Sequence, residues 1–356
     1  MKLSILTTCY NQRYEIERLL DSILKQQLPF EYEILIGDDG STDNSVEYLK
    51  EVESKYPNII KVYYNNPSKE KFFTIHSKAS RASDNRYRLF KEMFKHKSEY
   101  FTIIDGDDYY TNEKCLEEGV KFLDKNKNIT GICYNHNILI ENEHQIILKT
   151  LEKNEYNKKH NIINNKYYQL KSWHHVASFI FRSEDKEKLI NILGKNDLVD
   201  DGNITLMMLD YRDKDNKKSK IYYNKDKIIF NYIVHNKGMW TQSNEIEKMM
   251  LTTGSYSKKI FQHGGGLEIA LKAAENYKIL NSEIDKVRKL PQEVINYYRE
   301  LYKNYGDKIL VDILDDKKGT INSLILTLKI KFLYKKLCIT RRIYKKYYKM
   351  INMLHL

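Results

Sequence analysis

The sequence predicts an α/β fold, a mostly parallel sheet with helices on both faces, followed by a helical C-terminal region. Two observations carry this. Over the first 135 residues short apolar runs alternate with stretches of helical periodicity, and from about Ser243 to Asp316 the spacing is helical. A third observation concerns polarity. Asp, Asn, Thr and Gly gather at the ends of the apolar runs, the edge at which such sheets bind ligands.

The elements follow in order. Leu3 to Cys9 is a buried strand, and Tyr14 to Gln27 sets Ile16, Leu19, Leu20, Ile23 and Leu24 on one helical face. Tyr32 to Ile36 is the second strand, ending at Gly37-Asp38-Asp39-Gly40-Ser41. Asp43 to Tyr56 is a helix, with Ser41, Thr42 or Asp43 as its cap. Ile59 to Tyr64, Tyr100 to Ile104 and Ile129 to Tyr134 are strands, separated by helices over Ser77 to His96 and Asn112 to Asn126. Asn137 to Ile147 reads as a hairpin, and Val176 to Phe181 and Lys227 to Val234 as strands. The expected organisation is a catalytic domain over residues 1–240, a helical region over 241–316 and a basic amphipathic tail over 317–356.

The composition suits a folded chain: 356 residues, 41% hydrophobic and 30% charged. Cys9, Cys115, Cys133 and Cys338 form no C-x-x-C pair, so neither a disulfide framework nor a zinc site is expected. Cys9 reads as a small buried residue at a strand end. No signal peptide and no spanning helix are expected, since apolar runs of the needed length are missing. The net charge is +12, and the 11 Lys and Arg from Lys317 to Leu356, with no Asp or Glu among them, account for all but one of it. The body is near neutral, which argues against a nucleic-acid partner.

Asp105-Gly106-Asp107-Asp108 follows directly on an apolar strand. Carboxylates this close repel unless a cation offsets them, and hard divalent cations take such oxygens together with phosphate oxygens. That suits a nucleotide diphosphate, whose departing charge the metal would offset. An Asp-rich turn without metal explains this segment equally well.

Three motifs in order carry a resemblance. They are Leu6-Thr7-Thr8-Cys9-Tyr10-Asn11, then Glu33-Ile34-Leu35-Ile36-Gly37-Asp38-Asp39-Gly40-Ser41-Thr42-Asp43, then Asp105-Gly106-Asp107-Asp108. Over about its first 115 residues the chain resembles family 2 glycosyltransferases of the GT-A fold, of the bacterial surface-glycan type. The resemblance implies that Thr8 and Tyr10 contact the nucleotide base, that Asp39 accepts a hydrogen bond from uracil N3–H, and that Asp105 sits near the ribose. Asp107 would be the leading ligand of a divalent cation, Mn²⁺ or Mg²⁺, with Asp108 the alternative. Arg81 or Lys78 would meet the diphosphate, although a solvated basic helix face explains both as well.

Downstream, Leu198-Val199-Asp200-Asp201-Gly202-Asn203 precedes an apolar helix. The resemblance implies a catalytic base here, with Asp201 first and Asp200 second, to deprotonate the acceptor hydroxyl. Helix capping by Asp is the plain alternative and is compatible with that role. Trp173, His174 and His175 suggest an acceptor-binding surface, and adjacent His residues on a strand would point apart rather than share a metal. By the resemblance, His235 would reach the metal or the diphosphate, and Trp240 would cover the donor.

The tail from Ile321 mixes Leu, Ile, Phe and Tyr with Lys335-Lys336, Arg341-Arg342 and Lys345-Lys346. A basic amphipathic helix of this kind suits an anionic membrane surface, and packing on the chain's own body is the alternative. The expected function is therefore an inverting transfer from a nucleotide-sugar donor, a UDP-sugar, to a glycan or lipid-linked acceptor in bacterial cell-surface polysaccharide synthesis. The expected place is the cytoplasm, peripheral at the inner face of the cell membrane. A nucleotidyltransferase would instead show a Gly-rich phosphate loop after the first strand, where this chain has Thr7-Thr8-Cys9-Tyr10-Asn11. A membrane-surface binding protein that keeps the fold without activity is the non-enzymatic alternative.

Overall fold

A computed structural model describes residues 1–65, 75–141, 146–150, 161–163, 174–183, 204, 208, 219–235, 244–263, 267–315 and 321–354. The described residues fall in two compact units, divided between Gln242 and Ser243.

The first unit is an α/β layer structure. Its strands are β1 (Leu3–Cys9), β2 (Tyr32–Asp38), β3 (Ile60–Tyr64), β4 (Tyr100–Ile103), β5 (Tyr109–Tyr110), β6 (Gly131–Glu141), β7 (Ile146–Thr150), β8 (Ile162–Ile163), β9 (Phe179–Arg182) and β10 (Ile221–His235). They form one ten-stranded sheet in the order β3-β2-β1-β4-β9-β6-β10-β5, with β7 on β6 and β8 on β10. The half containing β3, β2, β1 and β4 is parallel. Strand β9 runs antiparallel to both β4 and β6, and β6 runs parallel to β10.

The helices are α1 (Arg13–Leu24), α2 (Ser45–Lys55), α3 (Ile75–Lys95) and α4 (Cys115–Lys125). Alternation along the strands sorts them onto two faces. Leu3, Ile5, Ile34 and Ile36 meet Ile16, Leu19, Leu20, Leu49, Val52, Leu116 and Val120, so α1, α2 and α4 share one face. Leu6, Leu35, Phe101 and Ile103 meet Leu89, Phe90 and Met93 of α3, together with Ile204 and Met208, on the other. Both predicted layers are present.

Three local differences from the sequence reading stand out. Helix α2 starts after Asn44, which makes no side-chain cap, while the Asp43 carboxylate accepts the Ser45 N–H at 3.0 Å. Strand β10 begins at Ile221, earlier than the predicted Lys227, because register shifts between Asn224 and Phe230 break the apolar alternation there. Strand β6 runs on through the predicted hairpin start to Glu141 and pairs with β7.

The second unit is helical: α5 (Glu245–His263), α6 (Leu267–Ser282), α7 (Ile284–Arg288), α8 (Gln292–Tyr305), α9 (Lys308–Asp315) and α10 (Ile321–Leu354). Its core gathers Met250, Ala274, Tyr277, Leu280, Val294, Tyr298, Tyr302, Leu310, Leu326 and Ile330. Helix α8 ends at Gly306, whose φ of 76° is a left-handed conformation that costs glycine least. Buried Asp307 then accepts the Leu310 N–H at 3.0 Å and the Tyr277 hydroxyl at 2.7 Å, starting α9.

Candidate active site

The site is built where β1, β2 and β4 end. The loops after β1 and β2 are stitched together by Asn11, which adopts φ 51° and accepts the Thr42 N–H at 2.7 Å on its side-chain oxygen. The Asn11 N–H in turn donates to Ser41 Oγ at 2.9 Å. Asp38 is buried, and its Oδ2 accepts the N–H groups of Gly40 and Ser41, both at 3.0 Å, so it shapes the loop. Its neighbour Asp39 is tied by its N–H to the Cys9 carbonyl at 2.9 Å and keeps a half-buried carboxylate at the strand end. Thr8 is half-buried beside it, and Tyr10 stands 47% exposed. Cys9 is buried, and desolvation pushes its thiol up to about 12, which leaves it unreactive.

The acidic loop is anchored to this edge. The Gly106 N–H donates to the Thr8 carbonyl at 3.1 Å. A Cβ at position 106 would lie 2.7 Å from that same carbonyl oxygen and 2.6 Å from Gln12 Oε1, so only glycine fits. The three carboxylates then go three ways. Asp105 Oδ1 accepts Arg86 Nη2 at 2.5 Å, and the guanidinium is buried on α3. Asp107 Oδ2 lies 3.2 Å from His235 Nε2, both groups reaching solvent. Asp108 is fully buried and its Oδ1 accepts the Ile233 N–H of β10 at 2.8 Å. The backbone of Asp107 is held as well, its carbonyl accepting Arg18 Nη2 at 3.0 Å while the Arg18 guanidinium lies over the Tyr109 ring.

His174 and His175 part as adjacent residues should, and both are buried. His174 is buried against Tyr223 and Phe179, and desolvation lowers its pKa to about 4, so it is a neutral packing ring. His175 is buried behind the acidic loop and stacks on Tyr232 with ring centroids 4.7 Å apart. Its Nδ1 accepts the Ala177 N–H at 3.3 Å, which leaves the proton on Nε2, 3.6 Å from Asp105 Oδ2. Of the other expected residues, Trp173, Asp200, Asp201 and Trp240 lie outside the described residues, and so do the side chains of Arg81 and Lys78.

Two residues that the sequence reading passed over belong here. Arg86 sits three and four positions before the buried Leu89 and Phe90, a helical spacing that marks the inward face of α3. His136 is buried on β6, stacks on Phe230 and shares a 3.1 Å hydrogen bond with Ser178 Oγ. Burial, with the nearby His175 and His174, lowers its pKa to about 2. His235 moves the other way. Its hydrogen bond to Asp107 raises its pKa, against a smaller opposing effect of burial.

The donor set fits a divalent cation. Ligand atoms of Asp105, Asp108 and His175 all lie within 4.8 Å of one another. A second pair, Asp107 and His235, follows on the same loop and at the end of β10, more exposed than Asp108 and His175. Carboxylate oxygens with imidazole nitrogen suit a metal such as Mn²⁺ at least as well as Mg²⁺.

Comparison with known proteins agrees with this frame. A family model described as Glycosyl transferase family 2 matches residues 4–189, more than half of the chain. The poly(ribitol-phosphate) beta-glucosyltransferase of Bacillus spizizenii is 35% identical over 117 residues, 33% of this chain and 16% of that protein. The dTDP-rhamnosyl transferase RfbG of Shigella flexneri is 32% identical over 130 residues, 36% of this chain and 40% of that protein. The chain thus matches well under half the length of these relatives. Among solved structures, Staphylococcus aureus TarS 1-349 superposes with a TM-score of 0.53 at 15% identity, covering 96% of this chain and 91% of that one. Its complex with UDP-GlcNAc gives 0.51 at 16% identity, covering 96% and 92%. At that identity the likeness concerns the fold, and it is the fold described above. With the three motifs standing at the strand ends and the family model spanning more than half of its length, the chain belongs to glycosyl transferase family 2.

Proposed function

We propose that this protein is a metal-dependent, inverting glycosyltransferase that moves a sugar from a UDP-sugar to a glycan or lipid-linked acceptor of the bacterial cell surface. The observation that carries the reading is the Asp107–His235 pair, held at the solvent side of an acidic loop that is anchored on every other side. Asp108 gives one oxygen to the Ile233 N–H and Asp105 one to Arg86, and we assign the cation to Asp107 with His235, next to the Asp105, Asp108 and His175 donors. The cation would offset the charge that develops on the departing diphosphate. Tyr10 offers an exposed ring for the base, and Asp39 a carboxylate for its N–H, with Thr8 between them.

The base is assigned to Asp201, with Asp200 second. Asp201 lies three residues before Ile204, and Ile204 and Met208 are buried at helical spacing on the α3 face of the sheet. A carboxylate there would take the acceptor's hydroxyl proton while the oxygen attacks the anomeric carbon. Trp240 and Arg81 are assigned to the donor and Trp173 to the acceptor. The surface-glycan acceptor is supported by the relatives, whose names speak of poly(ribitol-phosphate) and rhamnosyl transfer.

A panel of nucleotide sugars, incubated with acceptor extracts with and without EDTA, tests the reading. Nucleoside diphosphate release with a UDP-sugar, lost on chelation and restored by Mn²⁺ or Mg²⁺, is expected. Release from no donor under any metal would overturn it. Asp201→Asn is expected to keep donor affinity and lose transfer, and wild-type turnover in that variant would remove the assigned base.

A further inference from the structure

Helix α10 is apolar on two sides. Its inner side is accounted for: Leu326 and Ile330 are buried in the helical core, and Leu333, Tyr334 and Leu337 pack against it. On its outer side Ile325, Leu328, Phe332, Ile339 and Ile343 are 43%, 57%, 71%, 48% and 64% exposed. At about 100° per residue these five share an arc of roughly 60°, centred roughly 140° around the helix from the buried side. Singly exposed apolar residues need no explanation, but a stripe on one line, about 27 Å long at 1.5 Å per residue, does.

The charges complete the pattern. Lys329 and Lys336 run along one edge of the stripe, and Lys331, Lys335 and Arg342 along the other, all exposed. From Ile325 to Ile343, every exposed described residue except Thr340 is apolar or basic. No Asp or Glu occurs anywhere in α10.

We propose that this outer face of α10 lies flat on an anionic lipid bilayer. The five apolar side chains enter the acyl boundary, and the two rows of cations meet lipid phosphates and acidic headgroups. The helix rests on the bilayer rather than crossing it: among the described residues no helix is long and apolar enough to cross a membrane, and the inner face is already bound to the helical unit. Other occupants fit less well. A second copy would set the same rows of cations against each other with no acidic residue to offset them. A nucleic acid would pair with the cations but leave the apolar stripe against phosphates. The contact would bring the chain to a lipid-linked acceptor, and it stands independently of the donor chemistry.

Flotation of the full chain with vesicles of phosphatidylcholine, alone or mixed with phosphatidylglycerol, tests the proposal. Binding at least about tenfold tighter to the anionic vesicles is expected, weakening as salt is raised. The variant Leu328→Gln/Phe332→Gln/Ile339→Gln/Ile343→Gln, its helical circular dichroism unchanged, is expected to lose about tenfold or more of that binding, since the area it removes is the buried part. Lys335→Gln/Lys336→Gln is expected to lose the preference for anionic lipid. Should the quadruple variant not fold, Phe332→Gln alone is expected to weaken binding by about threefold. Equal binding to both vesicle types, or wild-type binding by the glutamine variants, would each overturn the proposal. Tighter binding to an oligonucleotide than to anionic vesicles would do the same.

Discussion

His235 Nε2 and Asp107 Oδ2 stand 3.2 Å apart, a contact that joins the end of β10 to the loop after β4. Donation to the carboxylate raises the imidazole pKa above its ordinary 6.5. The pair therefore adds stability that is complete below about 6.5 and is lost as pH rises through the raised value. Both groups reach water, so the contribution is at most about 1 kcal/mol. Asp107→Asn is expected to return the His235 titration, followed by NMR of its ring carbon proton, toward the ordinary value. The wild type's thermal advantage over this variant is expected at pH below about 6.5 and not well above it. An unmoved His235 titration would contradict the pairing.

The same proton bears on the cation. Metal ligation takes neutral imidazole, so a metal bound at this pair must displace the proton that Asp107 stabilises. Calorimetry with Mn²⁺ is expected to show proton release at near-neutral pH, and affinity that falls as pH is lowered. His235→Ala is expected to abolish the proton release and weaken binding by about tenfold or more.

Arg86 and Asp105 form a second test. The guanidinium is 5% exposed and the carboxylate 26%. Removing one partner of a buried pair costs more than the pair contributes, and Asp105→Ala is expected to destabilise the fold by roughly 3 kcal/mol in denaturant melts. Arg86→Lys is expected to rescue only part of the loss in Arg86→Ala, since an ammonium cannot reproduce the planar guanidinium. Full rescue by lysine would show that charge alone is needed.

Gly106→Ala is expected to cost about 1–3 kcal/mol and to displace the acidic loop, because the added methyl meets the Thr8 carbonyl and Gln12. Gln12→Ala in the same chain is expected to relieve little, since the Thr8 oxygen is backbone and cannot turn away. Recovery of wild-type melting in the double variant would refute that account.

Cysteine reactivity offers a simple check on burial. Cys9, Cys115 and Cys133 are buried while Cys338 is partly accessible. Burial pushes the thiols of Cys9 and Cys115 up to about 12. A thiol reagent at neutral pH is expected to modify Cys338 alone in the native chain, and the others only in denaturant.

The parallel half of the sheet was legible because each apolar run is local and its end is marked by turn residues. Leu3 to Cys9 and Tyr100 to Ile104 agree with β1 and β4 to within a residue. The Asp105–Asp108 loop was legible for the same reason, standing directly on a strand end. What a single sequence hid was division of labour. Nothing local distinguishes Asp107 from Asp108; the difference is made by β10, whose Ile233 N–H takes one and whose His235 faces the other. The His174-His175 pair is ambiguous in sequence because imidazole rings serve a buried face, as both do here, as readily as a ligand. Arg86 was passed over because its partner is fixed by packing of α3 on the sheet rather than by any spacing along the chain.

The register shifts of β10 between Asn224 and Phe230 have a bearing on how this protein can vary. They lie five or more residues upstream of His235, on the order of 16 Å along the strand. Side chains on a strand alternate faces, so losing or gaining one residue at the bulge would turn His235 away from Asp107 and shift the amide beneath Asp108. Substitutions in Lys225 to Lys227, which lie outside the core, should be well tolerated, while single-residue insertions and deletions there should not. The chain's length at that spot, far from any reacting atom, is the ruler against which the acidic loop is read.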